Sequence, residues 1–321
     1  MAQWNATYER QIARDWLVSV GYLGNKTTHL WLSDDVNPGV YIPGTCGTSA
    51  CSTTSNTQNR RVLTLENAAQ GAYYAQVIVT DDGANSNYNG LLASVQHRFS
   101  HNYTVLANYT YSHCISDGDF QGNVGNAQYE SQSIPSGRNL DRANCDFDIR
   151  HLFNASFVGT SPKFGDMWAR ALLSDWQFAP LIRAAGGLPV NVLTGKDNSF
   201  TGDNLDRPNV VSGVAQYAAS KGTTHQWLNA ASVTPNAAGT FGTLGRDAYR
   251  LPSTLTFDAS LSRTFPIVRE RFNIEARADA FNCINHPNYS AVNGTATSSS
   301  FGQLTAAADP RILQFSLKLH Y

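Results

Sequence analysis

Arg311-Ile312-Leu313-Gln314-Phe315-Ser316-Leu317-Lys318-Leu319-His320-Tyr321 is the stretch whose reading decides the fold. Leu313, Phe315, Leu317, Leu319 and Tyr321 recur at every second position, and Gln314, Ser316, Lys318 and His320 fill the places between. Successive side chains of a strand point to opposite faces, so this is a strand with one apolar and one polar face. Its apolar stripe finishes on an aromatic, as a strand crossing a bilayer does where it meets the interfacial girdle. The plainer alternative is an amphipathic strand of a soluble β-protein.

The same period recurs upstream. Residues 2–12 set Trp4, Ala6, Tyr8 and Ile12 against Gln3, Asn5, Thr7, Glu9 and Gln11, and 16–24 align Trp16, Val18, Val20 and Tyr22. Residues 88–99 align Leu91, Ala93, Val95 and Phe99; residues 103–113 oppose Tyr103, Val105, Ala107, Tyr109 and Tyr111 to Thr104, Asn108, Thr110 and Ser112. Further segments are 149–159, 175–185, 254–265 and 271–281. With the C-terminal stretch this makes nine, each about as long as a tilted strand needs to cross a bilayer. Two other apolar runs, Tyr73–Thr80 and Leu188–Leu193, are read as hairpin extensions above the membrane.

The links between segments carry as much information as the segments. They run short (13–15), long (25–87), short (100–102), long (114–148), moderate (160–174), long (186–253), short (266–270) and long (282–310). That alternation is the mark of periplasmic turns and extracellular loops, and a soluble sandwich has no reason to keep it. The expected fold is therefore all-β, a transmembrane antiparallel barrel in the cell outer membrane, with odd-numbered strands running inward. On that polarity the first strand starts outside the cell, the strand count is odd, and Met1-Ala2-Gln3-Trp4 lacks the basic and apolar start of an export signal. These three points lead to the expectation that residues 1–321 are the C-terminal portion of a longer barrel domain.

Composition agrees. Net charge is -1 with no basic stripe, which argues against a nucleic-acid partner. No run approaches the roughly eighteen apolar residues of a membrane helix, a fact without bearing on barrels.

Between the strands lie long ordered motifs: Asp203-Asn204-Leu205-Asp206-Arg207-Pro208-Asn209, Gln226-Trp227-Leu228-Asn229, and Gly239-Thr240-Phe241-Gly242-Thr243-Leu244-Gly245-Arg246-Asp247. They continue with Phe281-Asn282-Cys283-Ile284-Asn285-His286-Pro287-Asn288, Phe301-Gly302-Gln303-Leu304 and Asp309-Pro310-Arg311-Ile312-Leu313-Gln314-Phe315, and upstream Tyr88-Asn89-Gly90-Leu91 and Tyr109-Thr110-Tyr111-Ser112-His113-Cys114 fit the same pattern. Together they resemble the barrel half of the Oar-like TonB-dependent receptors, whose N-terminal half carries a carboxypeptidase-regulatory-like domain and a plug. The resemblance implies a roughly 22-stranded plugged barrel, of which this chain supplies about nine to eleven strands. It implies a receptor or transporter that binds an unknown extracellular ligand and imports it with energy from the TonB complex, reached through the missing N-terminal part. It implies outer-membrane lipid and the barrel assembly machinery as partners, with Phe315, Leu317, Leu319 and Tyr321 as the C-terminal assembly signal. The motifs' own Gly, Pro, Asn and Asp content suits loop folding rather than ligand contact. Two other functions stay open: a passive channel or adhesin, and a soluble carbohydrate-binding β-sandwich.

The five cysteines fit an oxidising compartment. Cys114 and Cys145 bracket the second long link, Cys46 and Cys51 lie close together in the first, and Cys283 is left over as an expected buried thiol. Glu275, Arg277 and Asp279 form a charged ladder on the lumen face of their strand, read as ion pairing rather than a substrate track, and Arg263 shares the apolar face near a turn, where it can snorkel to the interface. Asp117-Gly118-Asp119-Phe120-Gln121-Gly122 resembles the opening of a calcium loop, but Gln121 holds the fifth position and Gln128 stands where the bidentate Glu belongs, so no metal site is assigned. No nucleophile elbow, phosphate loop or His-Glu-x-x-His run is present. The chain is therefore read as not an enzyme, with no cofactor and no catalytic residue.

Overall fold

Period-two alternation gives strands, and the computed structural model places them where it occurs. It describes residues 1–118, 137–220, 222–268 and 272–321. The strands are β1 (Ala2–Ala13), β2 (Trp16–Asp35), β3 (Ile78–Ser100), β4 (Tyr103–Ser116), β5 (His151–Thr160), β6 (Trp176–Ala185), β7 (Thr254–Val268), β8 (Phe272–Phe281) and β9 (Ile312–His320). They form one antiparallel sheet in strict sequence order, β1 through β9, with the two-residue strand Ala143–Asn144 beside the far end of β4. The sheet is open: among the described residues, β1 pairs only with β2 and β9 only with β8.

Register keeps the two faces separate across the whole sheet. Leu255, Ala184, Phe153, Tyr109, Ala93, Val20 and Tyr8 follow one another from β7 to β1 as direct partners. The next row, one residue along, is Thr256, Arg183, Asn154, Asn108, Ser94, Ser19 and Glu9. A one-residue slip anywhere would exchange these rows and put Arg183 or Glu9 on the apolar side. At the other end Leu317 pairs with Ala276 and Phe315 with Ala278, continuing the apolar face to β9. Leu317 and Phe315 are 79% and 77% exposed, so this face has no covering layer within the chain.

Three segments differ from the sequence reading. β2 and β3 run well past residues 24 and 88, pairing from Lys26–Asn87 up to Asp35–Ile78. The pairing is irregular between Thr27 and Leu32, where His29 takes a positive φ of 61°, and this bulge breaks the alternation that would have revealed the extension. Of the two apolar runs, only Ile78–Thr80 joins a long strand, and only Pro189–Val190 of the other is extended, pairing with Tyr249–Arg250. Neither adds a crossing. The link 160–174 contains a helix; with Val62–Glu66 as α1 and Ala68–Gly71 as α2, it is α3, Met167–Leu173.

Candidate functional site: the loop cap

All the long links leave the same end of the sheet, and there they fold against each other. The link 186–253 is the hub. Its Val192, Leu228, Leu244 and Tyr249 pack with Phe301 of the link 282–310 into a fully enclosed apolar cluster. Trp227 N and Leu228 N both donate to Gly302 O (2.7 and 3.1 Å), and Gln226 Nε2 donates to Phe301 O (2.8 Å). Gly302 has φ 78°, and a Cβ there would lie 2.5 Å from Leu228 O, so only glycine serves at this crossing.

Around that cluster the hub is tied to the other links by buried charge. Arg207 Nη1 donates to Asp141 Oδ1 at 2.5 Å and its Nε to Leu244 O at 2.8 Å, with both charged side chains 4% exposed. Arg246 donates to Asp247 (2.9 Å), to Asp141 O (3.0 Å) and to Ser116 at the end of β4 (3.0 Å). Arg250 donates to the carboxylate and the carbonyl of Asp148, and Asp148 also accepts from Cys114 N at 2.7 Å. Thus the buried Arg207 and Arg246 and the half-buried Arg250 all end on the link between β4 and β5. Unpaired charges in such positions would be strongly destabilising; paired and hydrogen-bonded, they fix one arrangement of the loops.

The link between β2 and β3 joins the hub at a second seam. Gly39 N donates to Thr201 O (2.7 Å), and Arg60 reaches Val40 O (2.5 Å) and Phe200 O (3.2 Å) while lying 5.7 Å from the Phe200 ring centroid. Asp35, Asp197 and Asp203 are buried together here against Arg61, whose Nη1 lies 3.6 Å from Asp35 Oδ2. Gln76 Nε2 donates to Asp203 Oδ1, but Asp203 Oδ2 is enclosed with no hydrogen bond among the described residues. Burial, reinforced by the Asp35 and Asp197 carboxylates and opposed by Arg61 and the Gln76 bond, pushes the Asp203 carboxyl up to about 6.

The cysteines fall at the edges of this cap. Cys46 is bonded to Cys51 (Cα–Cα 4.8 Å) and Cys114 to Cys145 (Cα–Cα 5.4 Å). Cys283 carries a free thiol but is half-buried, not enclosed as expected. Beside the Cys114–Cys145 bridge, a cleft of about 180 Å³ opens on the polar face of the sheet, between Tyr88, Thr110, Ser112 and Leu152 below and Phe147 and Asp148 above.

Other expected features are placed as follows. On the polar face Arg277 Nε meets Asp279 at 2.9 Å within the ladder, and Glu275 meets His320 of β9 at 3.3 Å. Asp117 is engaged by Arg142 (2.6 Å) and by Asn85 N (2.8 Å) as part of the cap; Asp119, Phe120, Gln121, Gly122 and Gln128 of the calcium-like run lie outside the described residues. Arg263 does not simply reach for solvent. Its guanidinium donates to Ala171 O at 2.6 Å and lies over the Trp176 and Phe265 rings. Phe315, Leu317 and Leu319 form the exposed stripe of β9, and Tyr321 follows it, 98% exposed.

The sequence reading missed the arginine–aspartate braces. Arg207, Arg246 and Asp247 sit inside the quoted motifs, but Asp141 and Asp148 lie outside all of them, and nothing in spacing alone pairs residues 66 and 102 positions apart. It also missed His97, which is buried on the apolar face with its ring 4.7 Å from Trp16 and 4.2 Å from Tyr103.

The family described as outer membrane beta barrel domain matches residues 1–314. No curated protein matches the chain. Among solved structures, the outer membrane transporter YddB from Escherichia coli superposes with a TM-score of 0.51 at 9% identity, over 99% of this chain and 32% of that one. The chain thus spans about a third of the length of that transporter.

Proposed function

The chain belongs to the outer membrane beta barrel domain family, and from that premise we propose that it is the barrel portion of a TonB-dependent receptor that captures a ligand in its loop cap. As a member of that family it lies in the outer membrane, and the uncovered apolar face of the sheet is its lipid contact. The long links then face outward and the short ones the periplasm.

The observation that carries the proposal is the hub: one link, 186–253, tied to all three other long links by buried arginines and backbone bonds. A passive pore is served by loops that leave its mouth clear. A receptor needs the reverse, a preformed surface that holds its shape before the ligand arrives. The open edges support the wider barrel. In lipid each unpaired backbone group of β1 and β9 would cost several kcal/mol, so further strands pair there and the nine form an arc of a larger cylinder. A barrel of that size needs a plug, and TonB-driven plug rearrangement is the import step in this reading. The chain has no catalytic role in it and requires no cofactor.

Planar-bilayer recording of the full protein tests this. A plugged receptor gives no steady conductance until denaturant displaces the plug, and co-purifies with the soluble domain of TonB. A constant ohmic current from the untreated protein would instead establish the passive channel.

A further inference from the structure

The turn between β5 and β6 is much more elaborate than the other links at its end of the sheet. Asp166 caps α3 by accepting from Trp168 N (3.0 Å) and Ala169 N (3.1 Å), and Arg170 Nε donates to Phe164 O (3.0 Å). Ser161 Oγ donates to Leu173 O (2.6 Å) and accepts from Trp176 N (2.9 Å), and Phe164 N donates to the fully buried Ser174 Oγ (3.0 Å). This is a fixed structure.

What fixes it to the sheet also shows which side it is on. Trp176 Nε1 donates to Leu172 O (2.7 Å), and Arg263 donates to Ala171 O (2.6 Å) and Arg170 O (3.4 Å). Trp176 and Arg263 are direct partners in the register, in line with Phe178, Leu261 and Phe265 on the apolar face. The helix therefore hangs from the lipid-facing side of the sheet. At about 100° per residue, Met167, Trp168, Ala171 and Leu172 share an arc of about 140°. Met167 and Trp168 are each 70% exposed and Leu172 64%, so the arc is turned away from the protein. Arg170 and Lys163 flank it.

We propose that α3 is an interfacial anchor, lying in the periplasmic leaflet with Met167, Trp168 and Leu172 sunk at the level of the aromatic girdle. The inference rests on the membrane assignment made above. Its occupant follows from continuity: the arc extends the lipid-contacting face sideways at the level of Trp176 and Phe265. Such helices rest about 5–10 Å into the headgroup boundary, with cations toward the phosphates, as Arg170 and Lys163 would be. Arg263 is the residue that holds the helix at this depth, since its guanidinium closes two carbonyls of the last turn.

The test is depth-dependent quenching of the full protein in phosphatidylethanolamine–phosphatidylglycerol vesicles, with acyl chains brominated near the headgroup or near the chain end. The Trp168 signal is the difference between wild type and Trp168→Phe, and the Trp176 signal is obtained in the same way as a control on the sheet face. Trp168 should be quenched several-fold more by shallow than by deep bromine and be shielded from aqueous acrylamide, and Leu172→Glu should weaken the bromine quenching at both depths and open Trp168 to acrylamide. If Trp168 is open to acrylamide and untouched by bromine while Trp176 is quenched, the helix points into the periplasm and the anchor is wrong. If neither tryptophan responds to bromine, the membrane assignment of this face fails and the anchor fails with it.

Discussion

On the sheet, Leu317 of β9 lies beside Ala276 with 79% of its surface uncovered; in the cap, Arg207 and Asp141 are 4% exposed at a separation of 2.5 Å. The first region is held by backbone pairing and by a solvent outside the chain, the second by its own interior. The buried apolar cluster within the chain is Val192, Leu228, Leu244, Tyr249 and Phe301, none of them on a long strand. The difference teaches that this protein is turned inside out only where it meets lipid. Its loops obey the rules of a water-soluble core, including the rule that a buried charge must have a partner.

That contrast can be broken at several points. The largest effect is expected in the cap. Arg207→Ala removes the buried Arg207–Asp141 ion pair and should cost about 3–5 kcal/mol of cap stability, seen as early protease cleavage of the links in urea with the sheet still protected. The double replacement Arg207→Met/Asp141→Leu should recover most of that loss. If Arg207→Ala left protection intact, the hub would not be what organises the cap.

Next come the two faces of the sheet. Ala107→Arg or Leu317→Arg should cost about 2–4 kcal/mol in bilayer refolding, and Asn108→Arg or Ser316→Arg much less. Equal losses at neighbouring positions would erase the distinction between lipid and lumen.

The smallest effect is at the seam between the first long link and the hub. The Asp203 carboxyl is raised to about 6 in the folded cap, against about 4 in an unfolded chain. Protonation therefore favours the closed seam: its contribution is complete below about pH 4 and is lost as pH rises through about 6. Hydrogen-exchange protection at Gly39 N and Gly202 N, corrected for intrinsic rate, should fall between about pH 4 and pH 6 and become flat in Asp203→Asn. An unchanged profile in that variant would place the titration elsewhere.

The sheet was legible in the sequence because alternation is a local property, and Tyr103 to Tyr111 or Leu313 to Tyr321 display it without help from the rest of the chain. It failed where geometry departs from the period, at the bulge around His29, and where a link between strands holds a short helix, at Met167–Leu173. The cap was half legible. Motifs such as Asp203–Asn209 and Gly239–Asp247 marked the hub and suggested loop folding, which is the role Asp206, Arg207 and Arg246 have in the structure. Asp141 and Asp148, the partners of Arg207 and Arg250, come from another link, and a pairing of that kind is set by where strands deliver the chain, not by any local pattern.

The central claim is that the cap lies outside the cell and the short turns inside the periplasm, with the sheet between them. Impermeant maleimide labelling of intact cells tests it directly, using the full protein in a Cys283→Ser background with single cysteines at Tyr73 in the cap or at Lys163 in the turn before α3. Tyr73 is 88% exposed and should label at once, whereas Lys163 should label only after the outer membrane is permeabilised. Labelling of Lys163→Cys on intact cells, with Tyr73→Cys protected, would contradict the account.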